Sequence, residues 1–436
     1  MWNQAVAFLQ SSLDIAVKGL YRLDANPSFW REAIDRYATI EDKLIIESLL
    51  LVLLVERFKE RSPEIQKTLQ DICEFSVTRI YTPKNRMLIG RYPHTAVTFG
   101  ISHFALDRMG YGDAAFGRTI ETAFRSRQVY GIERLPYRTM EARWLQSLLF
   151  ADQEPTYFND LLPASILQSE TSALRMSTSD SYALTHALMY VTDFGNQPLP
   201  KNLKIGYLKS LIDQLIAAQI VNENLDVLGE LLMSAIFLDG AWSVRTRFAW
   251  HFLTQTWKQY GFLPSPSFEA KEYNKLSNED AHDYAFKHTY HTTYVGAILC
   301  SLVLRRPDLI ASAPTDRPVS AHISLDSVMH LMNDCPSLRG LSSCQWTRVF
   351  QGALIDQPQL SILLCDGLAV HAAQQYDLIT LCGLLESQLP SEFPVPNMLR
   401  EVVTFLITQR DSGGLPPEVI ERIATAFSEH SSDGEL

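Results

Sequence analysis

Residues 182–195 read YALTHALMYVTDFG and combine the pattern of a buried helix with four polar side chains. Tyr182, His186, Tyr190 and Asp193 follow one another at steps of four, four and three, so on a helix they share one face. The rest of the circumference is mostly apolar, which is typical of a helix covered by neighbouring helices. The stretch therefore predicts an interior helix with one polar stripe that faces a site.

The same helical spacing of apolar residues recurs along almost the whole chain, and no alternating strand pattern of any length interrupts it. Proline-rich turns such as NQPLP at 196–200 and LPSPS at 263–267 separate the periodic segments. The sequence thus predicts an all-α fold. We expect helices over about 3–22, 41–60, 63–81, 94–109, 113–127, 139–151, 180–193, 201–221, 225–239, 243–260, 283–305, 322–334, 360–388, 397–410 and 416–429.

Two segments indicate how these helices are arranged. Residues 252–264 read FLTQTWKQYGFLP and residues 405–416 read FLITQRDSGGLP, each a helix end followed by glycine and a Leu-Pro turn. This element resembles the helix-turn unit of α/α-toroid proteins such as terpene cyclases and protein prenyltransferase β subunits. The resemblance implies helical hairpins closed around a central cavity, and an open α-solenoid is the alternative. We predict one all-helical domain over 1–436, with a possible subdivision into 1–170, a motif-bearing core at 171–310, and C-terminal hairpins at 311–436.

Composition excludes some classes of partner. The 38 Lys and Arg residues are outnumbered by 49 Asp and Glu residues, which gives a net charge of −11 and no basic stripe. Binding to nucleic acid or to an anionic membrane is driven by clustered cations, so neither partner is expected. The most apolar run, IIESLLLVLLV at 45–55, is too short to cross a bilayer and carries Glu47. With scattered cysteines and no leader pattern, we expect a cytoplasmic protein.

A second polar cluster occurs at 282–302, HDYAFKHTYHTTYVGAILCSL. His291 and Thr292 stand beside Tyr290 where the apolar part of a helix begins, which favours a role in lining a pocket. His288 and His291 are three residues apart, a spacing that allows two imidazoles on one helix face to bind one metal ion.

The segment between these two clusters, ENLDVLGELL at 223–232, places Asp226 and Glu230 one helical turn apart. Such a pair is either the solvated face of a helix or a pair of carboxylates that contributes to a site. Arg175, which precedes the first motif, is a candidate clamp for an anion or carboxylate.

Several familiar chemistries lack their motifs, including GxSxG, HExxH, GxxxxGKS/T and the DDxxD motif of prenyl-diphosphate enzymes. The toroid resemblance therefore does not carry terpene cyclisation over to this chain. The motifs LTHALMYVTDFG at 184–195 and YHTTYVGAILC at 290–300, in this order, are similar to an uncharacterised family of bacterial proteins found beside natural-product biosynthesis genes. That resemblance covers about 175–300 and implies a biosynthetic context without a defined reaction.

Two functional hypotheses follow. In the first, the protein is a biosynthetic enzyme for a small-molecule or peptide intermediate, acting by cyclisation, elimination or hydrolysis. A divalent Zn, Fe or Mn ion would suit two imidazoles and two carboxylates, and a metal-free site would use His186 as general base or acid. In the second, the protein is a helical binding or scaffold module with a buried polar network. The candidate metal ligands are His186, Asp193, Glu230 and His291; the candidate catalytic residues are His186, Asp193, Tyr190 and His291; the candidate substrate contacts are Arg175, Tyr182, Tyr290 and Thr292.

Overall fold

The all-α class is confirmed by a computed structural model, which describes residues 2–25, 27–34, 38–58, 61–150, 158–238, 242–306 and 358–377, together with positions 381, 402, 408, 417 and 421. Within these ranges the regular elements are helices, and β pairing is limited to an isolated bridge between Ala33 and Thr39. The toroid and the solenoid both remain predictions.

The helices, numbered in chain order, begin and end close to the expected positions in most cases. Their bounds are α1 Trp2–Ala25, α2 Pro27–Trp30, α3 Ile40–Glu56, α4 Pro63–Ile80, α5 Pro83–Arg91, α6 Ala96–Arg108, α7 Ala114–Arg125, α8 Pro136–Leu149, α9 Thr178–Val191, α10 Ile205–Val221, α11 Leu225–Phe237, α12 Val244–Tyr260, α13 Ala270–Tyr273, α14 Asn278–Arg305 and α15 Pro358–Gln374.

Local capping explains where the helices that carry the candidate site begin. Ser177 caps α9 in a capping box with Asp180, and Thr39 does the same for α3 with Asp42. Asn224 caps α11 by accepting the backbone N–H of Val227. Each cap satisfies amide groups that the first helical turn leaves without partners, so the sequence itself sets the register of these three helices.

Helix α14 lies at the centre of the packing that positions the site. It packs against α1, α3 and α11, while α11 also packs against α9, α10 and α12. Helices α3, α9, α11 and α14 therefore form one contiguous group, and the polar residues of all four can meet. Among the described helices, none has the length and apolar character needed to cross a membrane.

Some helix predictions differ from the structure. Helix α5 was not expected, and its start is explained by the Thr82 cap followed by Pro83. The helix predicted over 360–388 is interrupted where α15 ends at Gln374, and Tyr376 adopts a left-handed backbone with a φ of 56°. Beyond residue 377, only Leu381 of that range is among the described residues. The helices predicted over 322–334, 397–410 and 416–429 lie outside the described residues, apart from the isolated positions named above.

Close approach of α11 and α14 depends on Gly229, which lies between Asp226 and Glu230. A Cβ atom at this position would lie 2.7 Å from Cγ1 of Val295, a distance that requires a neighbouring atom to move. Val295 has a stiff, β-branched side chain and is buried. The glycine thus allows the α11 backbone to lie against α14 one turn away from His291.

We expect Gly229→Ala to destabilise the protein by about 1–2 kcal/mol, because overpacking outweighs the gain of about 1 kcal/mol in helix propensity. Adding Val295→Ala should recover part of that loss by making room for the new methyl group. The control is Gly90→Ala in α5, where no atom lies within 4 Å of the added Cβ. Urea unfolding measures all four proteins, and a Gly229→Ala variant as stable as Gly90→Ala would contradict the close approach.

Candidate metal centre

Helix α11 supplies two buried carboxylates to the interior of the helix group. Asp226 and Glu230 are 5% and 3% exposed, so the solvated-face interpretation of this pair is wrong. The reason is that α11 is surrounded by α9, α10, α12 and α14, which leaves no face of the helix to solvent. A buried carboxylate is costly unless other groups compensate its charge, and the partners of this pair define the site.

His291 approaches the two carboxylates from α14. Its Nε2 atom lies 3.5 Å from Oδ1 of Asp226, and ligand atoms of Asp226, Glu230 and His291 all lie within 4.8 Å of one another. Two ligand atoms that bind one ion at about 2.0–2.2 Å are at most about 4.4 Å apart, so only small movements would be needed. This triad of two buried carboxylates and a partly exposed imidazole could hold a metal ion.

His186 lies beside the triad on α9. Its Nδ1 atom is 2.8 Å from the carbonyl oxygen of Tyr182, and because a carbonyl only accepts, the Nδ1–H must donate. Its Nε2 atom lies 3.7 Å from Oε1 of Glu230. The structure therefore places His186 and His291 beside the same carboxyl group.

Each α11 carboxylate has one oxygen held by a hydroxyl group of α9. Tyr182 donates to Oδ2 of Asp226 at 2.5 Å, and Thr185 donates to Oε2 of Glu230 at 2.5 Å. The other oxygen of Asp226, Oδ1, is buried and accepts no hydrogen bond from the residues that the structure describes. One edge of the Asp226 carboxylate is thus anchored and the other is left facing His291.

A third carboxylate, Glu47 of α3, contacts His291 on the opposite side of the ring. Its Oε2 atom lies 2.9 Å from Nδ1 of His291. The sequence interpretation missed this residue, which lay inside the apolar run at 45–55. A single charge in such a run was the available signal, because a charge buried with a core helix requires a partner.

The charges of these groups shift their ionisation. Burial acts to lower the pKa of His291, but the charges of Glu47 and Asp226 outweigh burial and raise that pKa to about 10. Burial acts to raise the pKa of Glu47, yet the charge of His291 and its hydrogen bond bring it below the ordinary value. Burial raises the pKa of Glu230, although the charge of His186 opposes the shift.

Asp193 is not part of this group, and its contacts do not support its predicted roles as a metal ligand and a catalytic residue beside His186. Helix α9 ends at Val191, and Asp193 follows in a left-handed backbone with a φ of 46°. Its carboxylate pairs with Arg57 at 2.9 Å and accepts the indole N–H of Trp144 at 2.6 Å. Seven residues along a helix also correspond to about 10 Å, too far for a direct contact with His186.

Tyrosine rings enclose His186. Tyr182, Tyr190 and Tyr137 of α8 stack on its imidazole with ring centroids 5.9, 6.1 and 5.6 Å away. The hydroxyl of Tyr190 donates to Oε1 of Glu141 at 3.2 Å. Tyr190 therefore supports the ring of His186, while its own hydroxyl points to a carboxylate outside the triad.

The remaining predicted substrate contacts are scattered. Burial, followed by the charge of Glu47, raises the pKa of the Tyr290 hydroxyl. Thr292, which follows His291 in the sequence, is buried. Arg175 is exposed and lies in the 3-10 turn Ala173–Arg175 before α9. His288, the other half of the predicted histidine pair, contacts Ser267 through Nδ1 at 3.0 Å and does not join the triad.

The raised pKa of His291 gives a test in metal-free protein kept in a chelator. Because the folded-state pKa lies near 10 and the ordinary value is 6.5, protonated His291 stabilises the fold fully below about pH 6.5 and progressively less up to pH 10. The difference in the free energy of unfolding between wild type and His291→Gln should therefore shrink as the pH rises. Urea unfolding at pH 6, 8 and 9.5 measures it, with His288→Gln as a control that shows no such trend; a constant difference for His291→Gln would contradict the pairing.

Comparisons with known proteins give the family but no activity. A search of the curated proteins and a search of the solved structures found no match. A family model matches residues 9–301, a range that includes Glu47, His186, Asp226, Glu230 and His291. The chain belongs to this family, which is described as a domain of unknown function, DUF6895.

Proposed function

We propose that the protein is a metal-dependent enzyme whose divalent cation is held by Asp226, Glu230 and His291. The observation that carries the proposal is the convergence of three ligand atoms within 4.8 Å of one another, from two helices that pack directly together. Hydrogen bonds to Tyr182 and Thr185 hold the second oxygens of the carboxylates. Such outer hydrogen bonds orient the ligands of metal sites in general.

The donor set decides which cations fit. One imidazole and two carboxylates suit Zn²⁺, Mn²⁺ or Fe²⁺, with the carboxylates favouring the harder ions. Three protein ligands leave coordination positions for water and substrate, as in catalytic rather than structural sites. The negative charges of Glu47, Asp226 and Glu230 exceed the positive charge of protonated His291 in the metal-free site. A divalent cation that displaces the His291 proton would therefore reduce the net negative charge of the group.

His186 is the residue we assign to proton transfer. Its Nδ1–H is committed to the carbonyl of Tyr182, so the lone pair of the neutral ring is on Nε2, which lies on the Glu230 side. A bound cation would lower the pKa of a coordinated water or polarise a carbonyl group of the substrate. His186 would accept the proton released in that step and return it to the product.

Substrate access is consistent with the exposure of the two imidazoles. The side chain of His291 is 40% exposed and that of His186 is 23% exposed, whereas the side chains of Asp226 and Glu230 are 6% and 4% exposed. A molecule from solvent can therefore reach the imidazole side while the carboxylates stay covered. From the resemblance to proteins encoded beside natural-product genes, we propose a small-molecule or peptide biosynthetic intermediate as substrate, with hydrolysis, elimination or cyclisation as the reaction.

A non-catalytic scaffold is the second candidate, and a specific observation favours it. Glu47, Asp226 and Glu230 each have a partner on another helix, namely His291, Tyr182 and Thr185. A network of this kind fixes the register of packed helices without any ligand. The two candidates differ in what the removal of single groups does to metal binding and to product formation.

The metal content of the purified protein tests the proposed metal centre. Protein purified without a histidine tag, then dialysed against Zn²⁺, Mn²⁺ or Fe²⁺ under anaerobic conditions, should retain about one ion per chain, as expected for one triad. Asp226→Asn, Glu230→Gln and His291→Gln should each lower the occupancy strongly, because each removes one ligand.

The matched control for metal content is Asp193→Asn, which removes a partly exposed carboxylate that pairs with Arg57 outside the triad. This variant should keep the metal. Metal occupancy is measured by inductively coupled plasma mass spectrometry. Unchanged metal occupancy in all three triad variants would reject the metal centre and leave the scaffold as the better hypothesis.

The effect of removing the His186 imidazole tests its assignment to proton transfer. Because it lies beside the triad rather than in it, His186→Ala should retain metal and abolish product formation. Untargeted metabolite comparison of a deletion strain complemented with wild type or with His186→Ala measures the second effect. The scaffold predicts instead that His186→Ala lowers stability by about 1–3 kcal/mol through lost hydrogen bonding, and that any loss of product follows the loss of folded protein.

A further inference from the structure

We infer that Glu47 is the positioning residue of the metal centre, the group that holds His291 with its Nε2 atom turned toward Asp226. This inference rests on the proposed metal site and adds to it a carboxylate that the triad does not contain. Three observations carry it: the contact of Glu47 with the far side of the imidazole, the contacts that hold Glu47 itself, and the different partner of His186.

The contact with His291 fixes the orientation of the ring. Oε2 of Glu47 lies 2.9 Å from Nδ1, and an ionised carboxylate only accepts, so Nδ1–H donates. The two ring nitrogens point to opposite sides of the imidazole. Holding Nδ1 therefore leaves Nε2 to face Oδ1 of Asp226, 3.5 Å away. Carboxylate, histidine and ligand position then lie in the order found in many metal proteins.

Glu47 is itself held in place by residues of α3 and α14. Tyr290 stabilises its ionised form and so lowers its pKa, and Nζ of Lys43, one turn earlier on α3, lies 3.6 Å from its Oε1 atom. Its side chain is 19% exposed. A carboxylate with three neighbouring donors has little freedom to rotate, so it can transmit a fixed orientation to His291.

His186 shows the contrast that makes the assignment specific. Its Nδ1–H donates to a backbone carbonyl, a neutral acceptor, whereas that of His291 donates to a charged carboxylate. Hydrogen bonds to ionised acceptors are about twice as strong as those between neutral groups. Glu47 thus makes His291 the more strongly oriented of the two imidazoles, which agrees with the membership of His291 in the triad.

The experiment compares Glu47→Gln and Glu47→Ala with wild type, using Co²⁺ and Zn²⁺ as probes. Glutamine keeps the length of the side chain and an accepting oxygen but removes the charge. Alanine removes the accepting oxygen as well as the charge. The control is Glu56→Gln on the same helix, whose carboxylate pairs with Arg108 away from the site. Circular dichroism and thermal melting of the metal-free proteins establish that each variant is folded before its Kd is measured by competition with a chromophoric chelator.

We expect Glu47→Gln to bind both ions about 10–100-fold more weakly than wild type, as for other outer partners of ligating histidines, and Glu47→Ala more weakly still. Glu56→Gln should bind as wild type does. The Co²⁺ d–d spectrum of Glu47→Gln should shift in position while its intensity, which reports coordination number, stays the same. A role in folding alone would change melting and leave the Kd and the spectrum of folded protein unchanged.

Three outcomes would overturn the inference in different ways. A Kd for Glu47→Gln equal to that of Glu56→Gln would show that Glu47 does not position the ligand. A change in the intensity of the Co²⁺ spectrum would show that Glu47 is itself a ligand. Failure of the wild-type protein to bind either ion would reject the proposed function, and the inference with it. If Glu47→Ala does not fold, Tyr290→Phe, which removes one support of Glu47 and leaves its charge, should weaken binding by a smaller factor than Glu47→Gln.

Discussion

The enclosure of three carboxylates among four packed helices, with Asp226 and Glu230 buried and Glu47 partly exposed, is the constraint on which the arrangement of the site depends. Glu47, Asp226 and Glu230 cannot be left without partners in a helical core, because desolvating an unpaired charge costs more than most packing contacts return. Each partner lies on a different helix from the carboxylate it contacts: His291 on α14, and Tyr182 and Thr185 on α9. These contacts between helices therefore restrict how α3, α9, α11 and α14 lie against one another, and the apolar side chains pack around the polar group.

Two turns of helix account for most of the polar contacts. On α9, Tyr182 and Thr185 are three residues apart, and on α11, Asp226 and Glu230 are four apart, so one face of each helix meets the other in register. On a neighbouring face of α11, Gly229 lets α14 approach closely enough for His291 to reach the same carboxylates. A larger residue at 229 and a shift of the α9 cap would disturb the same site by different routes. Local capping and one glycine are thus as necessary as the ligands.

The sequence predicted what depends on a single helix and failed where contacts between helices decide. Helical periodicity indicated an all-α fold, the polar stripe with His186, and the spacing of Asp226 and Glu230, because these follow from 3.6 residues per turn. It failed for Asp193, since that residue lies beyond the end of α9, where the left-handed backbone turns the carboxylate to Arg57. It also missed Glu47: the apolar run predicted a core helix correctly, but nothing in the run shows that the opposing helix carries a histidine.

A metal-binding site and a polar network that only fixes helix register differ in which polar groups lie within hydrogen-bond distance of one another. In a network whose only role is to hold helices together, the polar groups are expected to meet at hydrogen-bond distances of about 2.7–3.2 Å. Here the outer contacts, which Tyr182, Thr185 and Glu47 make with the three triad residues, are of that length or shorter. The inner separations, 3.5 Å from His291 to Asp226 and 3.7 Å from His186 to Glu230, are longer. Ligands bound to a tetrahedral ion at about 2.0–2.1 Å lie about 3.3 Å apart, so the separation between His291 and Asp226, which both belong to the triad, is close to that around a shared cation. Close contacts around the carboxylates and wider separations between the triad residues are the pattern that supports the proposed metal centre over the scaffold.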